Sequence, residues 1–342
     1  MARQAPAWWQ SRGAVACLWL PVSALFFVVA TLRRLAYRVG IFRAWRLPVP
    51  VIVVGNIAVG GSGKTPVVIW LVQALRRRGL RPAILSRGYG GSAAKTPRAV
   101  MPDSDPGEVG DEPVLLARRA QCPVFVSPDR VAGGRALLKR HPDVDVVITD
   151  DGLQHYRLQR DVEIIVLDPA TLGNRWLLPA GPLREPLSRA GEAQLLLWHG
   201  RPDATVTQAL RARHGTPDIQ PMRLQPGDFY RLDAPHERRD AASLQGLRLR
   251  AVAGIGQPQR FFDTLRALGL EPARTDAFPD HHAYVAADLD LQACDVLLMT
   301  EKDAIKCAGL APPPTWVLPV EALIADAALA PVLERVHGSQ TA

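Results

Sequence analysis

The stretch that most restricts the fold is Gly55-Asn56-Ile57-Ala58-Val59-Gly60-Gly61-Ser62-Gly63-Lys64-Thr65-Pro66, set between the apolar run 51–54 and a helical pattern over 64–78. A β-branched run, a glycine-rich turn and then a helix form a strand–turn–helix unit, the context a phosphate-binding loop requires. Glycines let backbone N–H groups approach an anion, and the start of the helix adds its partial positive charge. In this geometry Lys64 reaches the β- and γ-phosphates of a nucleotide and the Thr65 hydroxyl holds Mg²⁺. Val59, Gly60, Gly61, Ser62, Gly63, Lys64 and Thr65 are therefore the expected nucleotide-binding residues. Asn56 either lines the nucleotide pocket or caps a turn. The common spacing G-x₄-G-K-[ST] wants glycine at position 58, where this chain has Ala58; Gly60 and Gly61 are expected to supply the freedom instead.

Such a loop needs an acid for its metal. The apolar run 144–149 ends in Asp150-Asp151-Gly152. Acids at the C-terminal end of a parallel strand lie where such sheets bind ligands. They read as metal-shell acids, or else as solvated turn residues. Further β-branched runs at 83–86, 124–127, 163–167 and 195–198 alternate with helical stretches at 112–120 and 130–140. The alternation indicates a parallel sheet covered by helices on both faces. Residues 201–245 are polar and irregular and read as a connector. A second α/β unit is expected from 250–254, a helix over 258–268, a strand over 295–300 and a helix near 327–337.

The N-terminus suggests a membrane. Twenty residues between Arg12 and Arg33 carry no charge, and a helix of that length reaches roughly 30 Å, about one hydrocarbon core. Trp8, Trp9 and Trp45 flank the segment, as interfacial rings do, and Arg33, Arg34, Arg38, Arg43 and Arg46 follow it. The positive-inside rule then puts the bulk of the chain in the cytoplasm. A cleaved signal peptide, a buried core helix and an in-plane helix bent at Pro21 are the competing readings. Of the 41 Lys and Arg, 15 precede the first of the 33 acids, Asp103, and the other 26 follow it. An acid-free basic third points to an anionic partner, lipid or nucleotide. No RNA- or DNA-binding module accompanies it, so no nucleic-acid partner is expected. The four cysteines form no C-x-x-C pair, which speaks against a zinc site or a disulfide framework and for a reducing compartment.

Taken in order, the motifs resemble those of the tetraacyldisaccharide 4′-kinases, the lipid A 4′-kinases of Gram-negative bacteria. The resemblance rests on the loop from Val54 to Pro66, Ser86-Arg87-Gly88-Tyr89-Gly90, Gly110-Asp111-Glu112-Pro113 and Asp150-Asp151-Gly152-Leu153-Gln154-His155. It continues through the run 178–186, Gly254-Ile255-Gly256 with Arg260-Phe261-Phe262, Phe278-Pro279-Asp280-His281-His282 and the run 299–307. The family's own loop also lacks the glycine at the Ala58 position. The resemblance implies a P-loop kinase of two α/β/α domains with parallel-type sheets joined by a short β linker, anchored by its N-terminal helix to the inner membrane at the cytoplasmic face. The expected division is 1–46 membrane helix and basic flank, 47–215 catalytic domain, 216–248 linker and 249–342 second domain. The implied reaction moves the γ-phosphoryl of ATP, with Mg²⁺, to the 4′-hydroxyl of lipid A disaccharide 1-phosphate, giving lipid IVA; membrane phospholipid is the second implied partner.

The resemblance also makes Asp111 the base for the sugar hydroxyl, with His281 its partner across a domain cleft. Asp111 also reads as a helix-start acid favoured by the dipole, and His281 and His282 as a surface or core pair. Glu112, Asp150 and Asp151, with Thr65, are the candidate metal residues. His155 either orients these acids or is structural. Arg184 and Glu185 bind phosphate or substrate, or fix their loop as an ion pair. Arg87 contacts an anionic lipid or lies in a solvated loop. Thr300-Glu301-Lys302-Asp303 suits a base-side or hinge contact to the nucleotide. Its lysine is one place too late for the guanine-reading N-K-x-D, which favours ATP. A membrane-anchored switch GTPase or ATPase is one rival function, and it gives no reason for the Asp280-His281-His282 or 181–186 stretches; a non-catalytic nucleotide scaffold is the other, and it would tolerate loss of Asp111.

Overall fold

The computed structural model describes residues 6–88, 91, 96–214, 218–307, 309–310 and 314–340. Tyr89 and Gly90 of the Ser86–Gly90 motif lie outside them. The strands in chain order are β1 (Val51–Gly55), β2 (Pro82–Ser86), β3 (Arg98–Val100), β4 (Val124–Val126), β5 (Val146–Asp150), β6 (Val162–Leu167), β7 (Leu195–His199), β8 (Asp218–Pro226), β9 (Phe229–Arg231), β10 (Arg238–Arg239), β11 (Leu249–Ala253), β12 (Arg274–Ala277), β13 (Val296–Thr300), β14 (Thr315–Leu318) and β15 (Val320–Ile324).

Nine of them form one sheet in the order β15-β8-β7-β6-β1-β5-β2-β4-β3, parallel from β8 to β4 with an antiparallel strand at each edge. Alternate residues of β1 serve the two faces. Ile52 and Val54 join a core with the helices Lys64–Arg77 and Asp111–Ala120, and Val51 and Val53 join another with the helices Arg130–Arg140 and Ala204–His214. The other six strands order as β10-β9-β14-β13-β11-β12, with Phe261, Phe262 and Leu265 of the helix Pro258–Ala267 on one face and Ala304 of the helix Glu301–Lys306 on the other. Two α/β/α units result.

The domain division differs from the expected one in two places. Residues 201–245 are no plain connector, since a helix and the long strand β8 extend the first sheet beyond β7. Within β8 only Met222 is buried, so its composition reads as polar loop. The block 249–342 does not stay with the second sheet either. β15 pairs antiparallel with β8, and Val332 and Val336 of the helix Ala330–Gln340 join the first core. The chain crosses between the sheets twice, and Gly227 N donates to Pro319 O at 3.0 Å where the crossings run side by side.

The helix Leu20–Arg38 is long and apolar enough to cross a membrane, with mean hydropathy 1.4 and only 6% of its apolar window buried. That exposure removes the buried-core alternative. It is tied down at one side, where Ser23 Oγ donates to Leu177 O at 2.9 Å and Arg38 pairs with Glu192 at 2.8 Å.

Candidate active site

β1 is buried along its length and delivers Gly55 to the C-terminal edge of the sheet. A side chain at 55 would meet Leu153 Cβ at 2.7 Å, so the strand end and the Asp150–Leu153 turn pack in direct contact. Gly63, at φ +81°, turns the chain into the helix Lys64–Arg77. Asn56 does cap the turn, its buried amide donating to Gly60 O at 3.3 Å. Ala58 is 2% exposed and bridges to Leu183, and Val59 N donates to Pro182 O at 2.9 Å. The loop is thus pinned by the 178–186 run, and a small apolar residue at 58 has a packing reason. Asn56 Oδ1 and Ser62 Oγ are buried without a hydrogen-bond partner among the described residues.

The register Val54↔Asp150 sets β5's terminal acid beside the loop. Asp150 is buried with Oδ1 unpartnered, and burial, reinforced by the charges of Glu112 and Asp151, pushes its carboxyl up to about 7 against the pull of Lys64. Asp151 lies 3.5 Å from Lys64 Nζ and 3.4 Å from an Arg184 nitrogen. Burial would raise its pKa, but those two cations outweigh burial and hold it below the ordinary range. Behind the strand, Arg130 donates to the carbonyls of Ser127 at 2.9 Å and Asp150 at 3.1 Å.

Asp111 opens its helix and is 5% exposed. Its Oδ1 accepts from Glu112 N at 2.9 Å, the local helix-start contact, while Oδ2 lies 3.1 Å from His281 Nδ1 of the second domain. Burial alone would raise the Asp111 carboxyl; the hydrogen bond to His281 and the charges of Lys302 and Lys306 overcome that and hold it low. The same hydrogen bond raises the His281 imidazole against its burial. Both sequence-derived partners therefore meet across the seam, while His282 turns away to Asp288 at 3.0 Å.

The Tetraacyldisaccharide-1-P 4′-kinase family matches this chain over residues 15–337. The tetraacyldisaccharide 4′-kinase of Azoarcus sp. (strain BH72) is 53% identical over 335 residues, 98% of this chain and 96% of that one. That of Aromatoleum aromaticum is 52% identical across the full length of both. A solved structure of LpxK from Aquifex aeolicus in complex with ATP superposes with a TM-score of 0.77 at 29% identity, covering 95% of this chain and 99% of that one. The chain belongs to the tetraacyldisaccharide-1-P 4′-kinase family. Its fold is the expected α/β P-loop kinase fold with an N-terminal apolar helix.

Several supporting residues of this kinase find definite surroundings. Among the described residues Arg184 and Glu185 do not pair with each other. Arg184 turns to Asp151, whereas the buried Glu185 accepts from Gln154 Nε2 at 2.8 Å and Tyr156 OH at 2.7 Å, with Arg189 at 3.4 Å. Glu185 thus braces the turn after the Asp150-Asp151 pair. His155 makes no ring hydrogen bond to either acid among the described residues. Burial, together with Arg130, Arg87, Arg160 and Arg33, drops its pKa to about 4, so the ring is neutral near pH 7. Arg87 is exposed just past β2. Thr65, second residue of its helix, is half-buried.

The Thr300-Glu301-Lys302-Asp303 stretch lies on the seam. Thr300 caps the helix Glu301–Lys306 by accepting from Asp303 N at 3.2 Å, and Asp303 accepts from Gly254 N at 3.0 Å. Glu301 pairs with Arg119 of the first domain, and Lys302 reaches Glu112 at 3.0 Å. Two seam contacts went unseen in the sequence: Lys302 with Glu112, and the fork of Arg260 on the buried Asp168 just past β6, one arm at 2.8 Å. Lys302, Glu112 and Arg260 each stood in a noted motif, but nothing in the motifs signalled the partners.

Proposed function

We propose that this chain transfers the γ-phosphoryl group of ATP to the 4′-hydroxyl of tetraacyldisaccharide 1-phosphate, giving lipid IVA in lipid A biosynthesis. The observation that carries the reading is the Asp111–His281 pair, joined across the seam at 3.1 Å beside a phosphate loop in a chain of this family. Phosphoryl transfer is chiefly positioning and charge neutralisation. Lys64 and the N–H groups of Gly60, Gly61, Ser62 and Gly63 neutralise phosphate oxygens, and the unpartnered Asn56 Oδ1 and Ser62 Oγ are polar atoms suited to nucleotide.

Mg²⁺ fits the residues present. No three His, Cys, Asp or Glu side chains form a cage among the described residues, but Mg²⁺ on a nucleotide needs only one or two carboxylates beside its phosphates and waters. Thr65, Asp150 with its unpartnered Oδ1, Asp151 and Glu112 are the residues that would hold it. When bound it neutralises charge on the transferring phosphoryl group. Asp111, held ionised, accepts the hydrogen of the sugar hydroxyl, and His281 fixes the carboxylate's direction. A carboxylate of depressed pKa is a weak base, so orienting the hydroxyl is its larger contribution. Arg87 and Arg184 offer cations to substrate phosphate. The exposed apolar helix with its trailing arginines supports a site at the cytoplasmic face of the inner membrane, with the lipid substrate and phospholipid as its partners.

The test is transfer from labelled ATP to lipid A disaccharide 1-phosphate in detergent micelles with Mg²⁺. Wild type transfers label. Asp111→Asn is expected to lose roughly 10²–10⁴-fold in kcat, the usual share of base assistance, with KM for ATP unchanged. Undiminished turnover in that variant removes Asp111 from the role.

A further inference from the structure

Ion pairs cross the seam at several points, but one cation touches the reacting carboxylate's own surroundings. Lys302 Nζ lies 3.0 Å from Glu112 Oε1, 3.1 Å from Asp280 Oδ1 and 4.0 Å from Asp111 Oδ2. Asp111 and Glu112 belong to the first domain, Lys302 and Asp280 to the second. The lysine side chain is 17% exposed, so these contacts form with little water between them. The next link runs along the chain: Asp280 Oδ1 also accepts from His281 N at 3.1 Å. His281 sits at φ +60°, a left-handed conformation that a non-glycine residue keeps only when its surroundings hold it. The order of contact is then Lys302 to Asp280, Asp280 to the His281 backbone, and the His281 ring to Asp111. A buried pair of this kind contributes little net stability over an apolar substitute. Its placement is better explained by geometry at the site.

We propose that Lys302 is a positioning residue for phosphoryl transfer, pinning the Asp280-His281 turn of the second domain against the Asp111-Glu112 helix start of the first. His281 meets Asp111 at the correct angle only while that ammonium bridges the two. The inference rests on the reading of Asp111 as the group that orients the sugar hydroxyl. Arg119 with Glu301 crosses the same seam but, among the described residues, makes no ion pair or side-chain hydrogen bond to Asp111, Glu112, Asp280 or His281, so it joins the domains without aiming the site.

The experiment measures kcat and KM with labelled ATP and lipid substrate for full-length Lys302→Met, Lys302→Arg and Asp111→Asn and for the Lys302→Met/Asp111→Asn double variant, with folding checked by circular dichroism. Lys302→Met is expected to lower kcat about 10–100-fold, the scale of an ångström of misplacement, with KM for ATP unchanged. Lys302→Arg, which keeps the charge, retains more. In the Asp111→Asn background the Lys302→Met loss disappears, because the lysine acts through that carboxylate. Wild-type turnover in Lys302→Met, or a loss that multiplies with Asp111→Asn, overturns the proposal. Should Lys302→Met not fold, Asp280→Asn decides by the same criteria, with a smaller loss and the same non-additivity expected. Impaired Asp111→Asn beside a normal Lys302→Met sinks this proposal alone; normal Asp111→Asn sinks the base reading and this proposal with it.

Discussion

Asp111 and His281 lie 170 positions apart and meet at 3.1 Å, and that contact has a pH signature. His281 is raised by its hydrogen bond to Asp111. Its stabilising contribution is therefore complete below the ordinary imidazole value of 6.5 and is lost as pH rises through the raised value. Asp111 is depressed, so its contribution is complete above 3.8 and is lost only in acid. The pair is strongest between those two ordinary values. The expected outcome is that wild type exceeds His281→Gln in thermal stability at pH 5.5, by no more than about 1 kcal/mol for a partly solvated pair, and that the margin shrinks by pH 8.5. An NMR titration of His281 should show its pKa falling in Asp111→Asn. At this scale the phosphate loop was legible from its own chemistry, whereas the pairing of Asp111 with His281 came only from the family resemblance of their short motifs. Lys302 with Glu112 and Arg260 with Asp168 were not legible, being 190 and 92 positions apart. Nothing local in either residue states which partner it will find.

Among the elements, those buried on both faces were readable and those half-exposed were not. β1, β2 and β5 are buried throughout and stand in the sequence as continuous apolar runs. In β8 and β15 single residues, Met222 and Ala322, are buried; in β8 the pattern is lost among polar neighbours, and in β15 an exposed Leu323 breaks the match between hydrophobicity and burial. The N-terminal helix is the opposite case, an apolar run left outside every core. Leu25 is 64% exposed, Val29 57% and Leu32 59%. Burying a side chain of this size is worth roughly 1.5–3 kcal/mol, so several together favour lipid strongly over water. Deleting residues through Arg38 is expected to move the protein from vesicle-bound to supernatant in a flotation assay while leaving ATP binding measurable. Continued flotation of the shortened chain would shift the membrane contact to another surface.

For the whole molecule, the consequence of two crossings between sheets is that the first domain is discontinuous. Its last strand and last helix are supplied after the entire second domain has been made. Sequence order suggested the reverse, because a helical pattern near 327–337 following a strand reads as part of the nearest unit. Removing everything after Pro319 therefore should not trim the second domain. It should strip Leu329, Val332 and Val336 from the first core and expose the edge of β8. Three such side chains at roughly 1.5–3 kcal/mol each are comparable with the whole stability of a domain, about 5–15 kcal/mol. The bared strand also offers an unpaired ladder for aggregation. The truncated chain is expected to lose ATP binding and to aggregate, although the phosphate loop lies more than 250 positions upstream of the cut. A soluble, ATP-binding truncation would mean that the returning segment packs on the first domain without supporting it, and that the seam beside Asp111 is held by the second domain's ion pairs alone.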